Sequence, residues 1–203
     1  VRDQDNTRVE FDDVTSSPVA LSGSRAVIAY GNVDDNETEL ADVEAAYIQA
    51  KYKGVATFLR FARKYWPESW KKYRNPTTPM LMALYGHPMS GKIWEDFFIS
   101  ITKIFGWKAE PDWPGVYSRG TGKNKLTMAV YVDDIVMAGR PALMKLAWQE
   151  LQSSLKIEDA KPLSRYLGCT YTKDGRDLVF NMEDSLKDCV KRYLECVSSL
   201  EDS

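Results

Sequence analysis

The alternation of apolar and polar positions is clearest between residues 126 and 138, where it predicts a β-hairpin. Large apolar side chains occupy every second position from 126 to 130, and an uninterrupted apolar run covers residues 135–138. Asp133 and Asp134 stand between these two runs, in the most hydrophobic stretch of the chain. The pattern therefore places two adjacent carboxylates at the tip of a hairpin.

Weaker patterns predict the other elements. Helical spacing of apolar residues indicates helices over residues 92–105 and 143–155 and a last helix from about Ser185. Ser16, Ser17 and Pro18 are typical of a helix start, and Gly31 can end that helix. The remaining predicted elements are a strand leading into a helical turn over 40–48, strands over 57–61 and 115–119, an irregular connection over 64–79, and a second hairpin formed by 165–172 and 177–182 with its turn at 173–175.

The order of these elements includes strand–helix–strand–strand–helix–strand, which is typical of a ferredoxin-like α+β fold. We therefore expect an antiparallel sheet with helices on one face. The length of 203 residues predicts one or two small domains. Since no apolar run reaches the roughly 20 residues that a membrane-spanning helix needs, we expect no membrane partner.

The distribution of charge along the chain is uneven. The formal net charge of −2 argues against nucleic-acid binding, but residues 51–74 carry eight Lys and Arg against Glu68 alone, a local charge of +7. Tyr65, Trp66, Trp70 and Tyr73 are interleaved with these cations. The segment either neutralises phosphates and stacks on bases, or is a solvated basic surface whose aromatic rings turn into the core.

The three cysteines, Cys169, Cys189 and Cys196, indicate neither a disulfide framework nor a zinc site. Their odd number is typical of a reducing compartment. Their spacing, taken together with the only histidine, His87, does not fit zinc coordination. We therefore expect them to be small buried hydrophobic residues.

The two adjacent aspartates require either solvent or a counter-charge. Close, poorly solvated carboxylates repel each other, and no Lys or Arg lies between Thr127 and Gly139 to relieve that repulsion. Divalent cations would relieve it, whereas a solvated turn would not need them. Asp42, about ninety residues upstream, would complete a three-carboxylate cluster able to bridge two metal ions if its strand ends beside the hairpin. Alternatively, Asp42 is an ordinary acid at a helix N-terminus.

Five segments of the chain resemble motifs of one known family. They are Asp42–Ile48 (DVEAAYI), Leu84–Trp94 (LYGHPMSGKIW), Tyr131–Asp134 (YVDD), Arg165–Gly168 (RYLG) and residues 180–194. In this order they resemble the reverse transcriptases of copia-type retrotransposons, over about residues 14–194. The resemblance implies a reverse-transcriptase palm with partial fingers and the start of a thumb. The implied boundaries are fingers-like parts at about 14–39 and 50–80, palm at about 40–49 and 81–160, and primer-grip hairpin and thumb at about 161–203.

The resemblance implies an RNA-directed DNA polymerase that transfers nucleotides from a dNTP to a primer 3′-hydroxyl. It assigns the catalytic and metal-binding roles to Asp42, Asp133 and Asp134, with the backbone carbonyl of Val43 as a further ligand. Tyr47 would exclude a ribose 2′-hydroxyl, and Gly86 and Tyr131 would also contact the nucleotide. The nucleic-acid-binding candidates are Arg60, Arg63, Lys64, Lys71, Lys72 and Arg74.

The implied cofactors are two Mg²⁺ ions, or Mn²⁺. The implied partners are an RNA or DNA template-primer, dNTPs and, in the intact element, the integrase and RNase H parts of the Pol polyprotein. We expect an intracellular location, in a cytoplasmic particle or the nucleus. Because the family's basic fingers segment and most of its thumb are not recognisable here, a decayed, inactive copy acting as a nucleic-acid-binding module is the main alternative. A metal-dependent nuclease is a third interpretation.

Overall fold

The structure of the chain, a computed structural model, describes residues 16–174 and 177–201. Its four helices are α1 (Leu21–Tyr30), α2 (Ser90–Ile104), α3 (Pro141–Gln152) and α4 (Glu183–Glu201). Its strands are β1 (Glu37–Asp42), β2 (Phe58–Leu59), β3 (Thr78–Pro79), β4 (Lys108–Ala109), β5 (Val116–Arg119), β6 (Leu126–Tyr131), β7 (Asp134–Gly139), β8 (Lys161–Pro162), β9 (Arg165–Tyr166), β10 (Cys169–Asp174) and β11 (Asp177–Asn181). In this part of the chain no helix is long and apolar enough to cross a membrane.

The main sheet contains six strands in the order β4-β5-β6-β7-β1-β8, and every neighbouring pair is antiparallel. Helix α2 lies in the chain between β1 and β6, and α3 lies between β7 and β8. The four strands β6-β7-β1-β8 therefore follow the predicted strand–helix–strand–strand–helix–strand order, with β4 and β5 extending the sheet at one edge. Two smaller sheets, β11-β10-β9 and β2-β3, complete the mixed α+β fold.

Both faces of the main sheet are covered. On one face, Phe98 of α2 and Leu151 of α3 pack with Ile135 and other side chains of the sheet. On the opposite face, Ile28 of α1 packs with Val136, together with residues of β9 and β10. The prediction of helices on one face holds for α2 and α3 but is wrong for α1. The reason is that successive residues of β7 are apolar and fully buried, so the sheet has no face suited to water.

Two predicted boundaries differ because of local backbone contacts. Helix α1 begins at Leu21 rather than near Pro18, since the amide of Val19 donates to the carbonyl of Val130 (3.1 Å) and holds the preceding segment beside β6. Residues 165–172 do not form one strand, because Leu167 and Gly168 both have positive φ (47° and 75°) and turn the chain between β9 and β10. The predicted turn at residues 173–175 lies partly outside the described residues, and residues 1–15 lie wholly outside them.

The cysteines differ in burial. Cys169 is buried as predicted, whereas Cys189 and Cys196 are exposed, so that prediction is wrong for these two. Both lie on α4, where the apolar residues Leu186 and Val190 are exposed as well (62% and 59%). The helical spacing of α4 therefore correctly predicted the helix but not its burial.

Candidate functional site

The centre of the site is the end of the β6–β7 hairpin. Tyr131, the last residue of β6, is paired with Asp134, the first residue of β7, and Val132 and Asp133 form the connection between them. Asp134 is paired on its other side with Asp42, the last residue of β1. Directly opposed residues of antiparallel strands project from the same face of a sheet, so Asp42 and Asp134 are side-chain neighbours. Asp42 thus ends a strand, which excludes the alternative of a helix N-terminal acid.

Two hydrogen bonds hold the turn between the strands. The backbone amide of Val43 donates to the carbonyl oxygen of Asp133 at 2.8 Å, which ties the turn to the residue that follows Asp42. The indole N–H of Trp94, in α2, donates to the carbonyl oxygen of Val132, also at 2.8 Å. Val132 itself has φ of 60°, in the left-handed region.

The site is acidic, and both burial and neighbouring like charges raise pKa values in it. Burial raises the pKa of Asp42, and Asp133, Glu158 and Glu44 raise that pKa further. Burial likewise raises the pKa of Asp134, followed by repulsion from Asp133 and Asp42. Every charged group that shifts these two pKa values is therefore acidic, and the three predicted aspartates lie within electrostatic reach of one another.

The three aspartates offer the type of oxygen donor that a divalent ion prefers, but their side chains are not arranged as a metal site. Within residues 16–174 and 177–201, no group of three or more His, Cys, Asp or Glu side chains is arranged so that it could hold a metal ion. Carboxylate oxygens are nevertheless the donors that Mg²⁺ prefers, and a divalent cation would offset the repulsion that raises the pKa values of Asp42 and Asp134. The donor set thus fits hard divalent cations.

Two tyrosines adjoin the acids. The ring of Tyr47, in the short 3-10 helix Ala46–Gln49 after β1, lies 4.3 Å from the ring of Tyr85 between centroids. The hydroxyl of Tyr85 donates to Oδ2 of Asp133 at 3.3 Å. Burial and the Asp133 charge raise the pKa of both hydroxyls, which stay protonated at neutral pH. Tyr47 therefore lies within electrostatic reach of Asp133, while its contact with a nucleotide remains a prediction.

Comparison with known proteins decides the family. A family model described as reverse transcriptase (RNA-dependent DNA polymerase) matches residues 4–195. The chain belongs to this reverse transcriptase family. YCL074W, a Saccharomyces cerevisiae protein named for the transposon Ty5-1, is 24% identical over 122 residues, or 58% of the chain. The aligned region spans 40% of that relative's length. Together the two matches confirm the predicted relationship to copia-type retrotransposon reverse transcriptases.

Tyr85 and Trp94 contact the turn of the site, but the sequence analysis gave neither of them a role there. Tyr85 lies within the quoted Leu84–Trp94 motif. A tyrosine in a turn carries no pattern that would predict a hydrogen bond to Asp133, which is 48 positions further along the chain. The neighbouring Gly86, predicted to contact the nucleotide, has φ of 85°, a conformation that L side chains rarely adopt. Apart from Gly86 and its two chain neighbours, no heavy atom of the described residues lies within 4 Å of the position where its Cβ would be, so its surroundings there are open.

The basic segment of residues 51–74 is an exposed connection that contains two short 3-10 helices, Arg63–Tyr65 and Glu68–Trp70. Tyr65 and Tyr73 are 67% and 54% exposed, so the alternative in which the aromatic rings turn into the core is wrong for them. Lys64 Nζ lies 4.8 Å from the ring centroid of Tyr65, and Lys72 Nζ lies 5.2 Å from that of Tyr73. Cations and ring faces are thus adjacent at exposed positions of this segment, while nucleic-acid binding there remains a prediction.

Proposed function

We propose that this chain is an RNA-directed DNA polymerase that transfers the nucleotidyl group of a dNTP to a primer 3′-hydroxyl, with release of pyrophosphate, at Asp42, Asp133 and Asp134. The observation that carries the proposal is the pairing of Asp42 with Asp134 at the ends of β1 and β7, with Asp133 in the adjoining turn. Membership of the reverse transcriptase family supports the reaction class. The palm assignment for the main sheet, with fingers-like and thumb segments around it, belongs to the same proposal.

Asp42, Asp133 and Asp134 would hold two Mg²⁺ ions, or Mn²⁺, with the Val43 carbonyl as a further ligand. When bound, divalent ions supply positive charge for the attacking and leaving oxygens of a phosphoryl transfer. The protein contributes fixed positions for the carboxylates. Asp133 is fixed through its own carbonyl by Val43, and its carboxylate accepts a hydrogen bond from Tyr85.

We propose that Tyr47 selects the sugar of the incoming nucleotide. Its ring packs against the ring of Tyr85 with an interplanar angle of 48°, and the hydroxyl of Tyr85 donates a hydrogen bond to Asp133. The position of the ring is thus coupled to the acids where the nucleotide phosphates would bind. A ring held in this way would leave no room for a ribose 2′-hydroxyl. Gly86 and Tyr131 are the further proposed nucleotide contacts.

The proposed nucleic-acid partner is an RNA or DNA template-primer, and the candidate surface for it is the basic segment of residues 51–74. Its cations would neutralise backbone phosphates, and its exposed rings offer faces for bases. The net charge of the chain is −2, so attraction to nucleic acid depends on this local concentration of positive charge. In the intact element the integrase and RNase H parts of the Pol polyprotein are the proposed further partners.

Primer extension on an RNA template with a DNA primer, dNTPs and Mg²⁺ tests the proposal. Asp133→Asn removes one carboxylate with almost no change in shape and is expected to abolish extension. Asp112→Asn is the matched control, because Asp112 is exposed in the turn between β4 and β5, at the edge of the sheet away from β1. Extension that survives in Asp133→Asn contradicts the assigned site. A folded wild-type chain that binds the template-primer without extending it indicates a nucleic-acid-binding module instead.

A further inference from the structure

The turn that carries Asp133 has a backbone conformation that its sequence does not favour. Val132 has φ of 60°, and a β-branched residue is rarely found in the left-handed region because its Cβ substituents crowd the backbone. Such a conformation persists only where surrounding contacts impose it. The neighbours of Val132 must therefore hold the turn in place.

One such contact comes from Trp94, in the middle of α2. Its indole N–H donates to the carbonyl oxygen of Val132 at 2.8 Å. The Trp94 side chain is only 3% exposed, and its ring packs against Phe97 and Phe98 with centroid distances of 6.1 and 5.8 Å. A ring so enclosed has little freedom to move, so its N–H is a rigidly placed donor.

The hydrogen bond from Trp94 is one of two that bracket Asp133. The carbonyl of Val132 belongs to the peptide group that precedes Asp133 and accepts from Trp94. The carbonyl of Asp133 belongs to the peptide group that follows it and accepts from the amide of Val43. The two peptide planes on either side of this residue are thus held from different elements, α2 and the end of β1. Together they hold the backbone from which the Asp133 side chain projects.

We propose that Trp94 is a positioning residue for the reaction, holding the strained Val132–Asp133 turn through its indole N–H. The inference rests on the proposed function, because the orientation of Asp133 affects the rate only if Asp133 takes part in the reaction. Phenylalanine keeps an aromatic ring at this position but has no donor, and the packing that the smaller ring loses is matched in the control variant below. The proposal therefore predicts that the N–H, and not only the ring, is required.

Trp94→Phe tests this requirement, and Trp148→Phe is its matched control. Trp148 is similarly buried (4% exposed), and its indole N–H donates at 2.7 Å to Oε2 of Glu39 in β1, not to the turn. Both variants lose an indole and one hydrogen bond from the same core. Thermal unfolding and circular dichroism first establish that each variant is folded.

Amide hydrogen exchange provides a readout that does not depend on activity. Loss of the donor leaves the Val132 carbonyl unpaired, so Trp94→Phe is expected to accelerate exchange of the Val43 amide about tenfold, whereas Trp148→Phe is not. The Val19 amide, which donates to Val130 in the same hairpin, is the internal reference and should not change in either variant. Equal exchange of the Val43 amide in wild type and Trp94→Phe overturns the proposal.

Primer-extension kinetics provide the second readout. Trp94→Phe is expected to lower kcat about tenfold with the dNTP KM within about twofold, as for a lost interaction that serves mainly the transition state. In a Val132→Gly background the same substitution should cost less, because glycine adopts positive φ without strain. An equal loss in both backgrounds contradicts the role of Trp94 in holding the strained turn. A wild-type chain that extends no primer refutes the proposed function and with it the role of Trp94 in the reaction, while exchange of the Val43 amide still decides whether Trp94 holds the turn.

Discussion

Replacement of Asp134 by asparagine is expected to stabilise the fold while it removes a proposed metal ligand. Asp134 lies directly opposite Asp42 and next to Asp133, and both raise its pKa after the larger effect of burial. A pKa raised in the folded state means that folding favours the protonated form. The stability contributed by this group is therefore complete below the ordinary pKa of 3.8 and is lost as pH rises through the folded-state value.

The expected gain at neutral pH is modest. Like charges directly opposite on neighbouring strands cost up to about 1 kcal/mol, and asparagine keeps the shape of the side chain without the charge. For a domain of this size, about 1 kcal/mol corresponds to a rise in Tm of about 3 °C. The control is Asp112→Asn, at an exposed position in the turn between β4 and β5, which should leave Tm unchanged.

Thermal unfolding by circular dichroism measures the effect at pH 7.5 and at steps down toward pH 4. The Tm advantage of Asp134→Asn should shrink as pH falls, because the wild-type carboxyl also becomes neutral. Addition of Mg²⁺ at neutral pH should raise the Tm of the wild type more than that of the variant, since a ligand stabilises the state that binds it. A Tm that falls on substitution, or a gain that does not depend on pH, would refute the electrostatic reasoning.

Three further predictions concern the fold, the sugar and the nucleic acid. Gly115→Ala should lower the free energy of unfolding by more than about 2 kcal/mol in chemical unfolding, because the new Cβ would lie 2.5 Å from the Val19 amide nitrogen. The control Gly106→Ala, at a similar φ but with open surroundings, should lower the free energy of unfolding by less. Tyr47→Ala should allow rNTP incorporation in primer extension, whereas Tyr47→Phe should still exclude it, since the ring and not the hydroxyl fills the space. Lys64→Ala should weaken template-primer binding and reduce its salt dependence by about one phosphate contact in fluorescence anisotropy titrations.

Each of these predictions can fail in a distinct way. Equal losses in the two alanine variants would show that backbone strain alone, and not the contact with the segment before α1, matters at Gly115. If Tyr47→Phe incorporates rNTPs as readily as Tyr47→Ala, the hydroxyl rather than the ring discriminates. If Lys64→Ala binds template-primer with unchanged affinity and salt slope, phosphate contacts lie elsewhere on the protein.

Elements with local patterns could be predicted from the sequence. The β6–β7 hairpin follows from strict alternation before the two acids and a continuous apolar run after them, and α2 follows from a wide apolar stripe with helical spacing. The position of Asp42 is a different case, because its pairing with Asp134 joins residues far apart in the chain. The sequence around either residue does not predict this pairing. The expectation that the two aspartates share one site came from the family resemblance.

Features that depend on tertiary contacts could not be predicted. Propensity argues against left-handed backbone at Val132, and no pattern indicates that a buried indole in α2 bonds to its carbonyl. Likewise, the weak stripe of α1 does not say which face of the sheet it covers, and Cys189 and Cys196 occupy ordinary helical positions whose exposure depends on what packs against α4. Such features follow from packing between distant segments, which a periodic pattern does not contain.

The central claim is that Asp42, Asp133 and Asp134 together hold the divalent ions that serve nucleotidyl transfer. A crystal structure of the chain with Mn²⁺, a template-primer and a non-hydrolysable dNTP tests it most directly, because the anomalous signal of manganese locates the ions independently of the protein model. The account predicts anomalous peaks at the ends of β1 and β7, with carboxylate oxygens of Asp42 and of the turn as ligands. Peaks elsewhere, or a bound nucleotide with no ion at these three aspartates, would contradict it.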